Sequence, residues 1–130
     1  KPEGVIHVVD DRKYQSPDKL TMQLSLNDVF LGYFERWQWQ IGRLIPGTML
    51  KYNNNDGCTN SNGEVILKFS KRCQETISQL KEQGYNISDV KVNFIIFWTD
   101  PEKEKEFKVI LPEVQFEKMN NNSISTAQIE

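Results

Sequence analysis

Two tryptophans flanked by two arginines are the residues of this sequence best suited to binding chemistry. Trp37 and Trp39 lie between Arg36 and Arg43, and Tyr33 precedes them. Tryptophan, tyrosine and arginine are enriched among the residues that dominate interface energies, and a guanidinium group is attracted to the face of an aromatic ring. This cluster predicts non-covalent recognition of a partner.

Acidic residues offer a second kind of chemistry, the binding of a divalent metal ion. Asp10 and Asp11 follow an apolar stretch, where paired carboxylates could hold Mg²⁺. Glu106, Phe107 and Lys108 match one piece of a metal-dependent nuclease pattern. Neither pattern is accompanied by the further ligands that it needs, so both favour solvated loop residues, and no metal ligand is predicted.

The histidine and cysteine content gives little support for catalysis. His7 is the only histidine. Cys73 falls on the apolar side of a predicted helix, whereas Cys58 falls in a polar loop and is predicted to be the more exposed thiol, with no basic residue nearby to activate it. No catalytic residue and no cofactor is predicted, and a non-catalytic protein is favoured over an enzyme.

Composition limits the classes of function. The chain carries 16 basic and 18 acidic residues, and its net charge of -2 gives no overall attraction for nucleic acid. No apolar run reaches the roughly eighteen residues of a membrane-spanning helix, so membrane insertion is not expected. Two cysteines are too few for a disulfide framework and favour the cytoplasm, while sequons at Asn86 and Asn121 leave secretion open.

The 130 residues predict one globular domain over residues 1–118 and a polar tail or linker over residues 119–130. The tail is aperiodic, and the chain begins without an initiator methionine. We therefore expect a module of a larger polypeptide.

Apolar periodicity predicts a mainly antiparallel sheet of about five strands with two helices packed on it, an α+β fold. Strand patterns occur at residues 4–9, 20–26, 48–52, 64–69, 90–98 and 107–116. The stretch 90–98 is the most apolar and is predicted to be central and covered on both faces. Residues 53–63 are predicted to form a mobile hairpin loop.

The two predicted helices differ in the clarity of their signals. Ser70 and Gly84 bracket a helix whose apolar stripe includes Cys73. Two periods fit residues 28–42. The spacing of Phe30, Phe34, Trp37, Ile41 and Leu44 favours a helix, whereas residues 37–41 also alternate like a strand.

These two interpretations lead to different binding functions. In a helix, Trp39 lies on the polar face with Arg36 and Arg43, which predicts an interaction or regulatory module whose partner is another protein or another domain of the parent chain. In a strand, Trp37 and Trp39 share a face and could stack sugar rings or single-stranded nucleic acid together with Tyr33. A small metal-dependent enzyme is the third hypothesis, and the oligomeric state is left open.

Overall fold

Alternating apolar residues build a six-stranded antiparallel sheet with the strand order β1-β6-β5-β2-β3-β4. The computed structural model describes residues 18–53 and 56–118. The strands are β1 Lys19–Gln23, β2 Met49–Tyr52, β3 Gly57–Thr59, β4 Val65–Lys68, β5 Tyr85–Asp100 and β6 Lys105–Lys118. The predicted α+β class is confirmed, with six strands instead of about five, while the strand expected at 4–9 and the tail at 119–130 lie outside the described residues.

The described residues contain two α-helices beside the sheet. Helix α1, Gln38–Ile41, continues directly from a 3-10 helix at Leu31–Trp37, and we call residues 31–41 the helical segment. Helix α2, Lys71–Glu82, connects β4 to β5. A separate 3-10 turn, Leu26–Asp28, follows β1.

Helix α2 begins and ends where the sequence predicts. The Ser70 hydroxyl accepts a hydrogen bond from the Cys73 amide at 3.2 Å, which satisfies one unpaired donor of the first turn. Gly84 follows the helix with a φ of 99°, a conformation that favours glycine. Cys73 and Ile77 are buried on one side, as expected for a helix that lies on a sheet.

The helical segment differs from the α-helix predicted for residues 28–42, because most of it is a 3-10 helix. Its first seven residues follow the 3-10 period of three residues per turn, so Leu31, Phe34 and Trp37 share the face turned towards the core. Phe30 is 56% exposed and is not part of that face. The alternative strand at residues 37–41 is wrong, because Gln38–Ile41 is helical.

The sheet curls so that the chain after β1, at one edge, forms backbone contacts with β4 at the opposite edge. An isolated antiparallel bridge joins Val29, in the segment after β1, to Phe69 at the end of β4. The Phe30 amide also donates to the Lys68 carbonyl at 2.8 Å. The chain after β1 thus covers the outer edge of β4, and the main core forms inside this curl.

Strand β3 lies within residues 53–63, which were expected to be a loop. Gly57 allows this pairing, because a Cβ atom at that position would lie 2.2 Å from the Leu67 carbonyl oxygen of β4. Cys58 is consequently buried and faces Leu67, so the prediction that Cys58 is the more exposed thiol is wrong.

Strand β5 is central only in its first half. Val90 and Val92 are 1% exposed and lie between β2 and β6. The register then shifts between Val92 and Phe94, opposite Pro112, and the side chains after the shift change faces. Phe94 is 55% and Phe97 63% exposed, so the expectation that residues 90–98 are covered throughout is wrong.

Candidate functional site

The helical segment presents one face to the core and another to the outside. Phe34 and Ile41 are fully buried on the inner face. Tyr33 and Arg36 are three residues apart in the 3-10 helix, and Trp39 follows three residues later in α1. All three lie on the outer face, and Trp39 is more exposed than Tyr33. The 3-10 helix and the α1 turn that continues it therefore present aromatic and cationic side chains on the same face.

Trp39 is the most exposed aromatic side chain of the described residues, at 69%. The Arg43 guanidinium carbon lies 4.8 Å from the centroid of the Trp39 ring. Arg43 reaches this position because the chain turns directly after α1, where the Arg43 amide donates to the Gln40 carbonyl at 3.2 Å. The stacked pair combines a large apolar surface with a positive charge.

Tyr33 and Arg36 form a second stacked pair on the same outer face. The Arg36 guanidinium carbon lies 5.3 Å from the Tyr33 ring centroid, and the Lys68 ammonium group lies 5.1 Å from it. The Tyr33 hydroxyl donates a hydrogen bond to the Val65 carbonyl of β4. The Tyr33 ring is thus fixed to the sheet and carries two cations.

The Trp37 side chain lies on the inner face of the helical segment, whereas the Trp39 side chain lies on the outer face. The Trp37 ring centroid lies 6.3 Å from that of Tyr33, and the side chain packs against the core. The indole Nε1 of Trp37 is buried and has no hydrogen-bond partner among the described residues. The structure thus brings together Tyr33 with Arg36 and Trp39 with Arg43, but it does not place Trp37 and Trp39 on one platform.

A cleft of about 420 Å³ opens beside Trp39. One wall consists of Trp39, Arg43 and Leu44, Met49 of β2 contributes apolar surface, and the turn at residues 60–62 forms the opposite wall. Met49 is 53% exposed, and nearby in the chain Ile45 is 69% exposed. The cleft offers an apolar recess with polar groups around it, which suits a protruding side chain or a small ligand.

Glu64 connects the two walls of this cleft. One carboxylate oxygen accepts from the Gln40 amide at 3.3 Å, and the other accepts from the Asn60 amide at 2.9 Å. The side-chain oxygen Oδ1 of Asn60 in turn accepts from the backbone amides of Asn62 and Glu64 at 3.0 and 2.9 Å. This network holds the wall at residues 60–62 in place without using the Trp39 or Arg43 side chain.

The outer face of the helical segment carries unneutralised positive charge. Within residues 18–53 and 56–118, neither Arg36 nor Arg43 forms an ion pair. Glu35, the acidic neighbour, is engaged elsewhere, because Lys103 and Lys105 each donate to its carboxylate at 2.9 Å. Arg36 and Arg43 remain available to an external carboxylate.

The charged tip of the β5–β6 hairpin is tied to the helical segment by these ion pairs. Hydrogen bonds from Lys103 and Lys105 lower the pKa of Glu35 below its ordinary value, and the bond to Glu35 raises the pKa of Lys103. The two ion pairs therefore hold the hairpin tip against the helical segment.

The remaining sequence candidates show no sign of an active site in the described residues. Across residues 18–53 and 56–118, histidine, cysteine and acidic side chains form no group of three or more that could hold a metal ion. His7, Asp10 and Asp11 lie outside those ranges. Burial raises the pKa of both Cys58 and Cys73 to about 12, which keeps these free thiols protonated at neutral pH.

Comparison with protein-family models, with curated proteins and with solved structures finds no match for this chain. None of the helices in the described residues is long and apolar enough to cross a membrane. The geometry of the site therefore carries the functional argument by itself.

Sequence reasoning missed the far wall of the cleft. Asn60, Ser61 and Asn62 meet Trp39 only because β3 and β4 form a hairpin beside the helical segment. The asparagine-rich composition of this stretch indicates a turn, but no local signal shows which part of the chain it faces. The exposed Met49 likewise becomes part of the site only through the sheet.

Proposed function

We propose that this domain is a non-catalytic interaction module that binds another protein, or another domain of its parent chain, through the surface formed by Tyr33, Arg36, Trp39 and Arg43. The observation that carries the proposal is the exposed Trp39 ring with the Arg43 guanidinium stacked on it. A stacked pair of this kind is ordered before binding, so less side-chain entropy is lost when a partner covers it.

The surroundings of Trp39 support a protein partner. Interface centres are enriched in tryptophan, tyrosine, arginine and methionine. Arg43 and Met49 line the same cleft as Trp39, and the stacked pair of Tyr33 and Arg36 lies further along the helical segment. The cleft between Trp39 and Met49 can receive one apolar side chain, the Arg43 guanidinium beside it can pair with a carboxylate, and Arg36 can pair with a second carboxylate further along the helical segment. A segment that carries an apolar residue between acidic residues matches this arrangement.

The net charge of -2 disfavours a nucleic acid as the principal partner. We assign the domain to the cytoplasm, because its two cysteines are free thiols and structural disulfides are common in oxidising compartments.

Replacing Trp39 tests the proposal. Affinity capture with the full chain first identifies a partner, and titration calorimetry with the purified pair then compares the unaltered protein with Trp39→Ala and Phe94→Ala. We expect Trp39→Ala to weaken binding by about 2 kcal/mol or more, as for a central interface residue, and to change the free energy of unfolding by no more than about 0.5 kcal/mol. Phe94→Ala is the matched control, because Phe94 is an exposed aromatic residue that does not line the cleft. This variant should bind the partner like the unaltered protein.

Two results contradict this proposal. Binding that survives Trp39→Ala would remove the surface from the interface. Unfolding of Trp39→Ala would show that the indole belongs to the core, despite its 69% exposure.

Carbohydrate binding is a second candidate, favoured by the polar lining of the same cleft. The side chains of Gln40, Thr48, Ser61 and Asn62 bring amide and hydroxyl groups beside the exposed indole of Trp39. Such groups can hydrogen-bond sugar hydroxyls while the indole stacks on the ring. Titration with monosaccharides and oligosaccharides, and with oligonucleotides for comparison, should then change the tryptophan fluorescence, and Trp39→Phe should remove that change.

A further inference from the structure

Within residues 18–53 and 56–118, no strand covers the outer half of β5 on the side away from β6. On the β2 side, backbone pairing stops at Val92, which accepts from the Gly47 amide at 2.7 Å and donates to the Thr48 carbonyl at 2.8 Å. Beyond Val92, residues 94–100 pair only with β6 among the described strands. A strand edge of this length is a template for another strand.

Hydrogen bonds on the far side of β6 show which backbone groups face β5. The Lys108 amide and carbonyl both bond to the Gln38 side chain at 2.8 Å, and the Pro112 carbonyl accepts from the Leu24 amide at 3.0 Å. Even-numbered residues in this part of β6 therefore point away from β5. Because successive residues of a strand alternate in direction, the odd-numbered residue Val109 points towards β5.

The same alternation identifies the free groups on β5. Val109 pairs with Ile96, so Ile96 points its amide and carbonyl towards β6. Ile95, Phe97 and Thr99 must then direct their amides and carbonyls to the open side. No hydrogen bond of these three outward-facing residues to another part of residues 18–53 or 56–118 is present.

The composition of this edge lacks the features that protect exposed strands. Residues 93–99 read Asn-Phe-Ile-Ile-Phe-Trp-Thr, with neither a charged residue nor a proline. Natural edges are commonly short, or they carry lysine, proline or a bulge that prevents pairing. The register shift of β5 lies between Val92 and Phe94, at the inner end of this edge, and residues 94–100 pair regularly with β6 beyond it. Edge β1, in contrast, has five residues and begins with Lys19, whose side chain is 75% exposed.

We propose that two copies of this chain pair through this edge, with their β5 strands antiparallel around a two-fold axis at Phe97. Residues 93–99 carry no charge of their own, so two such strands can face each other without like-charge repulsion between their side chains. The Lys108 ammonium of β6 lies 5.6 Å from the Phe97 ring centroid and is the cation that this pairing must accommodate beside the axis. Phe97 then lies opposite the partner's Phe97, and Ile95 lies opposite the partner's Thr99. Each outward-facing amide and carbonyl between these residues gains a partner, which gives about six hydrogen bonds across the axis.

The extent of the free edge fixes this register. A more inward axis would place the second copy on Gly47 and Thr48, which already occupy the edge beside Val92. A more outward axis would reach the turn at residues 101–104, where the strand has ended. A dimer formed around Phe97 cannot add a third copy through this edge, because each copy offers one such edge and the dimer occupies both.

Sedimentation of the full chain over a wide range of concentration tests the proposal. We expect the mass to rise from 15.2 kDa towards twice that value as the concentration increases. Phe97→Lys places two positive charges at the axis and should leave the mass at 15.2 kDa at every concentration. Phe30→Lys makes the same change at a phenylalanine of similar exposure, on the far side of the sheet from β5, and should dimerise like the unaltered chain.

A second variant and a second measurement keep the test decisive if Phe97→Lys does not fold. Thr99→Pro removes an outward-facing amide without removing a bond to β6, and it should also abolish the dimer. Hydrogen exchange should show the amides of Ile95, Phe97 and Thr99 becoming protected as the concentration rises.

Three outcomes overturn the proposal. The first is a chain that stays monomeric at all concentrations. This holds even if the amides of the edge are protected from exchange in the monomer, because another segment of the same chain would then cover the edge. The second is a dimer that persists in both Phe97→Lys and Thr99→Pro. The third is open-ended aggregation instead of a closed dimer. None of these outcomes bears on the Trp39 surface, whose variants are tested separately.

Discussion

The two halves of the β5–β6 hairpin use similar residues and have different surroundings. In the inner half, Val90 and Phe116 are 1% exposed, because β2 lies beside β5 and β1 lies beside β6. In the outer half, Phe94 and Phe97 are more than half exposed on β5, while Val109, which lies opposite Ile96 on β6, is fully buried. The neighbours of a strand therefore decide its burial, and apolar composition alone does not.

Alanine substitution in the two halves should reveal the largest difference. Phe116→Ala removes a buried ring from the inner half and should lower the free energy of unfolding by about 3–5 kcal/mol. Phe94→Ala in the outer half should lower it by less than about 1 kcal/mol, because solvent already reaches that ring. Urea unfolding of both variants measures the difference, and equal losses would contradict the contrast between the halves.

Gln38 should have an intermediate effect, because its side chain replaces a missing strand beside the outer half of β6. The carboxamide accepts from the Lys108 amide and donates to the carbonyls of Lys108 and Phe34. Gln38→Met keeps the length of the side chain but leaves these backbone groups unpaired, at a cost of about 1–3 kcal/mol by urea unfolding.

Gln40→Met is the matched control for this prediction. The Gln40 amide makes a single 3.3 Å contact with Glu64, so the substitution should cost less. Equal effects in the two variants would show that Gln38 does not support β6.

The smallest effect concerns the tip of the outer half and depends on pH. Because Lys103 and Lys105 lower the pKa of Glu35 in the folded state, their ion pairs stabilise the fold above the ordinary carboxyl value of 4.5 and lose this contribution as the pH falls through the lowered pKa. An NMR titration of Glu35 should show this lowered pKa, with faster amide exchange at the tip in acid. In Glu35→Gln the tip should exchange at the faster rate already at neutral pH, and a pKa at or above 4.5 in the unaltered protein would contradict the assignment.

The fold was predictable from sequence where local signals agree with one another. Ser70 and Gly84 mark the limits of α2, and each described strand overlaps a predicted alternating stretch, except β3. The helical segment was harder to predict. The residues at 30, 34, 37 and 41 fit an α-helix, but the 3-10 period places Leu31 on the inner face instead of Phe30.

Contacts between distant segments account for what the sequence did not reveal. Cys58 lies among polar residues, yet β2 and β4 flank its short strand and bury it. The outer half of β5 looks like a core strand, and only the end of β2 pairing at Val92 leaves it uncovered. The exposure of Trp39 followed from helical geometry, whereas the cleft beside it depends on a turn about twenty residues away.

The pairing of β1 with β6 imposes an order on folding. Lys19 lies opposite Glu117, so the first described strand meets the last across most of the chain. Closing so long a loop is entropically unfavourable, and contacts of this kind form late and slow the folding rate. On the ribosome, β1 emerges before the other described strands, and its partner among them, β6, is synthesised last, so the described sheet is completed only near the end of translation of these residues.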